Sequence, residues 1–420
     1  MNQFSAITSS TLTSSQIFLG IALTVGLAVT CQVIASRLRI PGIILLLPVG
    51  FAAGALTKSV NPNNLLGPAF SPLVGIAVAI VLFDGGLDLV RKEMGPEDRN
   101  VVRRLRGLGI PITWAGAGVL AWLLLGLSTQ AAIMLGAILI VSGPTVVTPI
   151  LASARPGKRL TTILGYEGTT VDPVGALIAV VVYQLLVSNH SHNVLDGAFG
   201  FVGRLAVGAI GGAAGVGVLW LLLKKMRLTG VLAAEAIIAT VITAAALCDA
   251  VQEDTGLVAA IVIGIVIANL PGVNLEKGRP PLKMIVQLTI GILFISISAT
   301  VTPASLKGVV WPCLALVAGL VLVVRPVVAF LTTMRTTLSR NERIFIGSMD
   351  PRGIVAASKA ATFSAPLVAL GIGGADRLLP ATFLVIVGTV TIYGLSAVPL
   401  ARALGLRQTD PEPEPAAPPS

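Results

Sequence analysis

Apolar runs of membrane-crossing length, separated by short charged loops, repeat along the whole of this 420-residue chain. Thirteen such runs lie near residues 16–36, 40–57, 71–90, 107–127, 130–153, 161–187, 197–223, 231–250, 256–270, 285–302, 308–333, 343–365 and 379–401. A helix of roughly 20 apolar residues covers the hydrocarbon core of a bilayer. The strict apolar/polar alternation of a membrane β-strand is absent. The pattern therefore predicts an all-α integral membrane protein with 13 transmembrane helices.

Composition and charge refine this picture. Hydrophobic residues make up 55% of the chain, charged residues 11%, and mean hydropathy is +0.92, which excludes a soluble globular domain. The net charge of +10 is not a nucleic-acid footprint, because 22 of the 29 Lys and Arg fall in loops after odd-numbered runs and in the C-terminal segment. Lys58, Arg204, Lys307 and Arg377 fall on the opposite side, and Arg325, Arg352 and Lys359 inside runs. Positive loops stay cytoplasmic. The expected topology has residues 1–15 as an extracytoplasmic N-terminus and a cytoplasmic C-terminus, in a bacterial inner membrane. Residues 1–15 are polar and uncharged, and the run after them is long enough to span, so no cleavable signal peptide is expected. Residues 407–420, ending TDPEPEPAAPPS, read as a disordered tail with no regulatory domain beyond. Cys31, Cys248 and Cys313 form no metal or disulfide pattern. His190 and His192 read as ordinary loop residues, with a pH sensor as the alternative.

The chain also resembles itself. PGIILLLPVGFAAG from Pro41 aligns with TGLVAAIVIGIVIAN from Thr255, Leu82-Phe83 with Leu293-Phe294, and Gly143-Pro144 with Asp350-Pro351. The offsets of 214, 211 and 207 span seven runs, so the second copy enters from the opposite side. This predicts an inverted repeat: residues 16–187 as the first six-helix repeat, 197–223 as a linker helix, and 231–402 as the second repeat. Runs five and twelve each carry a proline break, SGPTVVTP and SMDPRG, where helices are expected to unwind and cross at the midplane.

The sixth run, from Thr161 to Val187, carries Glu167 and Asp172 and no other charge. An ionised acid near the bilayer centre costs roughly 2.5–3.5 kcal/mol, which marks this run as a transport pathway. Five residues separate the two acids, about 500° around a helix, so they face apart and do not form a dyad. Thr169 shares the face of Asp172. A desolvated carboxylate holds either a proton or a hard monovalent cation, and Asp172 is the candidate. Arg325 lies deep in the eleventh run and needs a buried acid, for which Glu167 is the candidate. Asp350 and Arg352 are placed to cap half-helix ends at the second break. Asp88 and Glu235 are expected to reach the interface. There is no nucleotide loop, metal-ligand cluster or nucleophile elbow, so an enzyme is not expected, nor any cofactor.

Together these residues resemble the NhaP-type branch of the monovalent cation:proton antiporters, to which eukaryotic sodium/proton exchangers belong. The motifs are LRIPGIILLLPVGFAAG, VLFDGGLDL, SGPTVVTPILASARP, EGTTVDPVGAL, RPVV and PRGIVAAS, in that order between residues 16 and 402. The resemblance implies two inverted six-helix repeats with crossing discontinuous helices. It also implies exchange of Na+ (and Li+) for H+ by alternating access, and a homodimer. It makes Asp172 the carrier of Na+ or H+, Glu167 and Arg325 a structural ion pair, and the break near Thr145 a source of oxygens. Gly143, Pro144, Asp350, Pro351 and Arg352 then form the helix crossing. The chain departs from the family where Val171 replaces a common Asn. It departs again at Gly168, where a hydroxyl or amide often stands, leaving Thr169 or Thr170 to supply that ligand. Gly143 stands where an Asp is common, and Asp350 is the candidate to compensate. With no adjacent pair of acids, one-for-one electroneutral exchange is expected. K+/H+ exchange is the nearest alternative; a cation channel and an organic-acid carrier are more distant ones.

Overall fold

The computed structural model describes residues 13–38, 40–57, 60–89, 94–187, 194–253, 255–271, 275 and 277–408. His190, His192, most of the N-terminal segment and residues 409–420 lie outside them, as do Arg39, Lys58, Arg91 and Lys92. Among the described residues the secondary structure is helical. Nine helices are long and apolar enough to cross a membrane, and five shorter apolar helices accompany them.

The first bundle contains α1 (Ser14–Leu38), α2 (Ile43–Leu56), a short α3 (Pro62–Leu66) and α4 (Phe70–Leu87). A second begins with α5 (Pro96–Leu125) and runs through α6 (Thr129–Ile138), α7 (Pro144–Ala154) and α8 (Lys158–Val187). The chain then returns to the first through α9 (Val194–Trp220), α10 (Gly230–Val251), α11 (Thr255–Asn269) and α12 (Arg279–Ala299). It completes the second with α13 (Val310–Gly319), α14 (Arg325–Thr333), α15 (Arg340–Gly347), α16 (Ile354–Ala369) and α17 (Leu378–Ala403).

Helices from the first part of the chain pack on helices from the second in both bundles. In the first bundle α2 lies on α12 and α11 on α4. A Cβ added at Gly50 of α2 would sit 2.7 Å from the Ile295 carbonyl, and one at Gly264 of α11 would sit 2.3 Å from that of Phe83. Only glycine permits such backbone approach, and close backbone packing is how helices associate where the surroundings are as apolar as their side chains. In the second bundle α7 packs on α17 while α16 packs on α8.

Both breaks are present, and their chemistry differs in detail from a simple proline kink. α6 ends at Ile138, and the chain runs irregularly until Pro144, the first residue of α7. Proline suits that position, because its fixed φ starts a helix and its missing N–H has no partner to lose. α15 ends at Gly347, α16 starts at Ile354, and Pro351 lies within the gap. Between α13 and α14 a single π-helical turn spans Leu320–Val324, with the Arg325 N–H donating to the Leu320 carbonyl. Pro326 has no N–H to continue the regular ladder, which accounts for the shift in register just before it.

Several residues of the loop count lie inside helices: Arg99, Arg103, Arg104 and Arg106 in α5, Lys158 and Arg159 in α8, and Arg340 and Arg343 in α15. Arg204 lies inside α9 and is only 5% exposed, so it is a helix residue and not a loop residue. Arg204 sits in an otherwise glycine- and alanine-rich helix, and a count of loop charges cannot see that its neighbours bury it.

Candidate functional site

α8 carries both acids on an unbroken helix. Glu167 faces α14, where it receives a bidentate pair from Arg325: Nη1 to Oε1 at 2.6 Å and Nη2 to Oε2 at 2.9 Å. The Arg325 Nε donates to the Ile346 carbonyl at 3.0 Å, on the last turn of α15. Both side chains are buried. Each charge in this cluster has a counter-charge and directed hydrogen bonds, the condition for keeping an ion pair out of water.

Asp172 is the opposite case. It is 1% exposed, and neither carboxylate oxygen has a hydrogen-bond partner among the described residues. Its carboxylate lies against the first break: a Cβ built on Gly143 would come within 2.5 Å of Oδ2. There is no room for a side chain at 143 while Asp172 keeps this position. The buried Thr145 hydroxyl, at the start of α7, also has no partner among the described residues.

The breaks meet at the same point. A Cβ on Gly353 would lie 3.1 Å from the Gly143 nitrogen and 3.3 Å from its Cα, so the irregular segments cross backbone to backbone. Asp350 does not face Asp172 as a second free acid. It pairs with Arg352, at 2.7 Å from Oδ2 to Nη2, and the Arg352 Nη1 donates to the Ile140 carbonyl at 3.2 Å. Arg352 thus ties the second break to the first, and Asp350 neutralises it. Asp350 at the crossing is paired with Arg352, and Gly143 is the position where a side chain would meet Asp172.

Thr169 is buried one turn before Asp172, while the Thr170 hydroxyl is turned back onto the Tyr166 carbonyl at 2.5 Å. Of the two threonines, Thr169 is the one left for the site. Two prolines add acceptors. Pro173 cannot donate to the Thr169 carbonyl, and Pro149 cannot donate to that of Thr145, so each threonine is four residues ahead of a missing N–H. That spacing is visible in the sequence and is the signal for these two carbonyls. Gly85 of α4 closes the far wall, its would-be Cβ 2.8 Å from Pro144 and 3.3 Å from the Thr169 methyl.

A cavity of about 390 Å3 opens on the side of the basic loops, with Arg155, Lys158 and Gln408 at its rim. It extends inward past Thr148 and Thr162 and includes Thr169. Asp88 also lines it, bound to Arg279 at 3.1 Å, and Arg279 holds Asp84 at 3.3 Å. Asp88 and Glu235 are both exposed. Among the described residues there is no group of three or more His, Cys, Asp and Glu poised for a metal. Asp172 with oxygens of Thr145 and Thr169 is instead an all-oxygen set, suited to a hard cation or to a proton.

The comparisons with known proteins fall on the same architecture. The family profile described as sodium/hydrogen exchanger, transmembrane, matches residues 21–403. The K(+)/H(+) antiporter NhaP2 of Shewanella sp. (strain ANA-3) is 25% identical over 410 residues, covering 94% of this chain and 68% of the relative. The K(+)/H(+) antiporter NhaP of Alkalimonas amylolytica is 26% identical over 396 residues, covering 90% and 65%. The structure of the sodium proton antiporter MjNhaP1 from Methanocaldococcus jannaschii at pH 8 superposes with a TM-score of 0.78 at 19% identity, over 93% of this chain and 99% of that one. At that identity the superposition establishes the fold, and the profile match establishes descent: the chain is an integral membrane protein that belongs to the transmembrane sodium/hydrogen exchanger family.

Proposed function

We propose that the chain exchanges a monovalent cation, Na+ with Li+, for H+ by alternating access at the single carboxylate of Asp172. Family membership supports cation/proton antiport as the class of activity. The observation that carries the finer reading is the pair of buried Asp172 oxygens with no hydrogen-bond partner among the described residues, set against a broken helix. A buried ionised carboxylate costs several kcal/mol unless a positive charge joins it. A proton or a cation meets that need, and the two compete for the same oxygens. Glu167 is already satisfied by Arg325, so it holds α8 to α14 and α15 without drawing cations from Asp172.

In this reading a cation reaches Thr169 through the cavity and is stripped of water by carbonyl and hydroxyl oxygens of Thr169 and Thr145. It then displaces the proton of Asp172. One carboxylate exchanging one for one moves no net charge. The thirteen-span topology and the inverted repeat are part of the proposal. The reciprocal Gly50–Ile295 and Gly264–Phe83 approaches and the Gly143–Gly353 crossing support them. The same holds for a homodimer in a bacterial plasma membrane with the C-terminus cytoplasmic, and for the division into residues 16–187, 197–223 and 231–402.

K+ in place of Na+ is the second reading, favoured by the names of the Shewanella and Alkalimonas relatives. An organic-acid carrier is disfavoured, since Arg325 and Arg352 are each engaged by a carboxylate. Proton flux in proteoliposomes with a preset pH gradient, after adding Na+, Li+, K+ or choline, tests the proposal. Collapse by Na+ but not choline, lost in Asp172→Ala, is expected; a response to K+ alone changes the substrate. Collapse that persists in Asp172→Ala would remove the carrier from Asp172. Because proton and cation compete, the apparent KM for the cation should rise as pH falls while the maximal rate changes little.

A further inference from the structure

We infer that the groove between α14 and α15 is a binding site for an anionic phospholipid of the leaflet on the basic-loop side. The groove has a volume of about 500 Å3, within the range of ligand pockets (about 300–1,000 Å3). Pro326, Phe330, Ile344 and Gly347 line its length, and Arg340 and Arg343 its mouth. Phe330 is 65% exposed and Ile344 41%, and Leu322 and Val323 continue the same apolar surface at 72% and 58%. Such a surface on a membrane helix faces acyl chains.

The charge at the mouth is what selects the headgroup. Among the described residues neither Arg340 nor Arg343 pairs with a carboxylate, and no acidic side chain lines the groove. Arg343 is held in place from within, its Nε donating to the Leu338 carbonyl at 3.0 Å and its Nη2 to that of Thr336 at 2.9 Å. The Met334 carbonyl in the same connection receives Arg104 Nη1 at 2.8 Å. The connection and Arg343 are therefore fixed, and Arg343 does not need to be ordered when a ligand arrives. Two arginines without counter-charges above an apolar groove fit one amphipathic anion, a phosphate with a chain attached. The groove reaches Pro326, next to Arg325, and Gly347, next to the Ile346 carbonyl that Arg325 binds. A lipid seated there would back the outer side of the Glu167–Arg325 pair.

Native mass spectrometry of the purified full-length chain with phosphatidylglycerol or phosphatidylcholine of identical acyl chains tests this. Preferential retention of phosphatidylglycerol is expected, weakened about fivefold in Arg340→Gln and retained in Arg340→Lys. Arg340 is exposed and holds no other residue, so its variants should fold; Arg343 is avoided because it supports the connection. Gly347→Leu, filling the groove floor, should reduce retention of phosphatidylglycerol with Arg340 intact. Equal retention of both lipids, or an unchanged preference in Arg340→Gln, would overturn the site. So would displacement by inorganic phosphate alone, which would show that the chain contributes nothing. The readout is binding, so it stands or falls apart from the exchange activity.

Discussion

Glu167 and Asp172 sit five residues apart on the same buried helix and lead opposite lives. Glu167 has a bidentate arginine, which is itself anchored to a backbone carbonyl. Asp172 has no hydrogen-bond partner among the described residues. The difference is made by the elements opposite each face. α14 presents a cation where its ladder shifts by one residue, whereas the first break presents a glycine and bare backbone. Saturation turns a carboxylate into a strut; an unsaturated one in a dry place is what the proposed exchange would use as a docking point for positive charge.

The largest test breaks the saturated side. Glu167→Leu leaves Arg325 buried and unpaired and should cost about 3–5 kcal/mol of stability. Thermal unfolding in detergent should show a large drop, and Glu167→Leu with Arg325→Met should recover most of it. Full loss in the double variant would mean that the pair does more than neutralise itself. Next in size is Gly143→Ala, whose methyl meets the Asp172 carboxylate. Overpacking of this kind costs roughly 1–3 kcal/mol, and here it should appear as a raised apparent KM for the cation with the fold retained. An unchanged KM would show that Asp172 has another place to go. The smallest is Thr145→Val, which keeps shape and removes one hydroxyl. Losing one oxygen ligand worth about 0.5–1.5 kcal/mol should raise the KM roughly two- to tenfold, measured from cation titrations of proton flux. No change would exclude the hydroxyl and leave only the Thr145 carbonyl.

Much of this arrangement was legible before any coordinates. Apolar runs such as residues 231–250 announce helices because a membrane allows little else, and α10 covers Gly230–Val251. Two deep charges of opposite sign, Glu167 and Arg325, invite pairing on energetic grounds, and they lie together. Gly143-Pro144 and Asp350-Pro351 marked the breaks. What was not legible depends on neighbours distant in sequence. The irregular stretch before Pro144 begins with Leu-Ile-Val, three residues that precede the Ser-Gly-Pro signal and carry no local signal of their own for leaving a helix. The π turn before Arg325 lies in Leu-Val-Leu-Val-Val, with Pro326 as its only mark. That Arg352 reaches the Ile140 carbonyl, and that Asp84 and Asp88 share Arg279, are facts of tertiary contact. Burial of Arg204 is another.

The isolation of Asp172 also bears on how tightly the two fluxes are geared. A carrier that changes sides empty would have to do so with a bare anion in its interior, a state several kcal/mol above either loaded form. Each 1.4 kcal/mol thins the traffic through that state by about tenfold. Under the proposed exchange at Asp172, scarcity of both the cation and protons would leave the carrier idle rather than slipping, and a cell would keep its gradient without a separate valve.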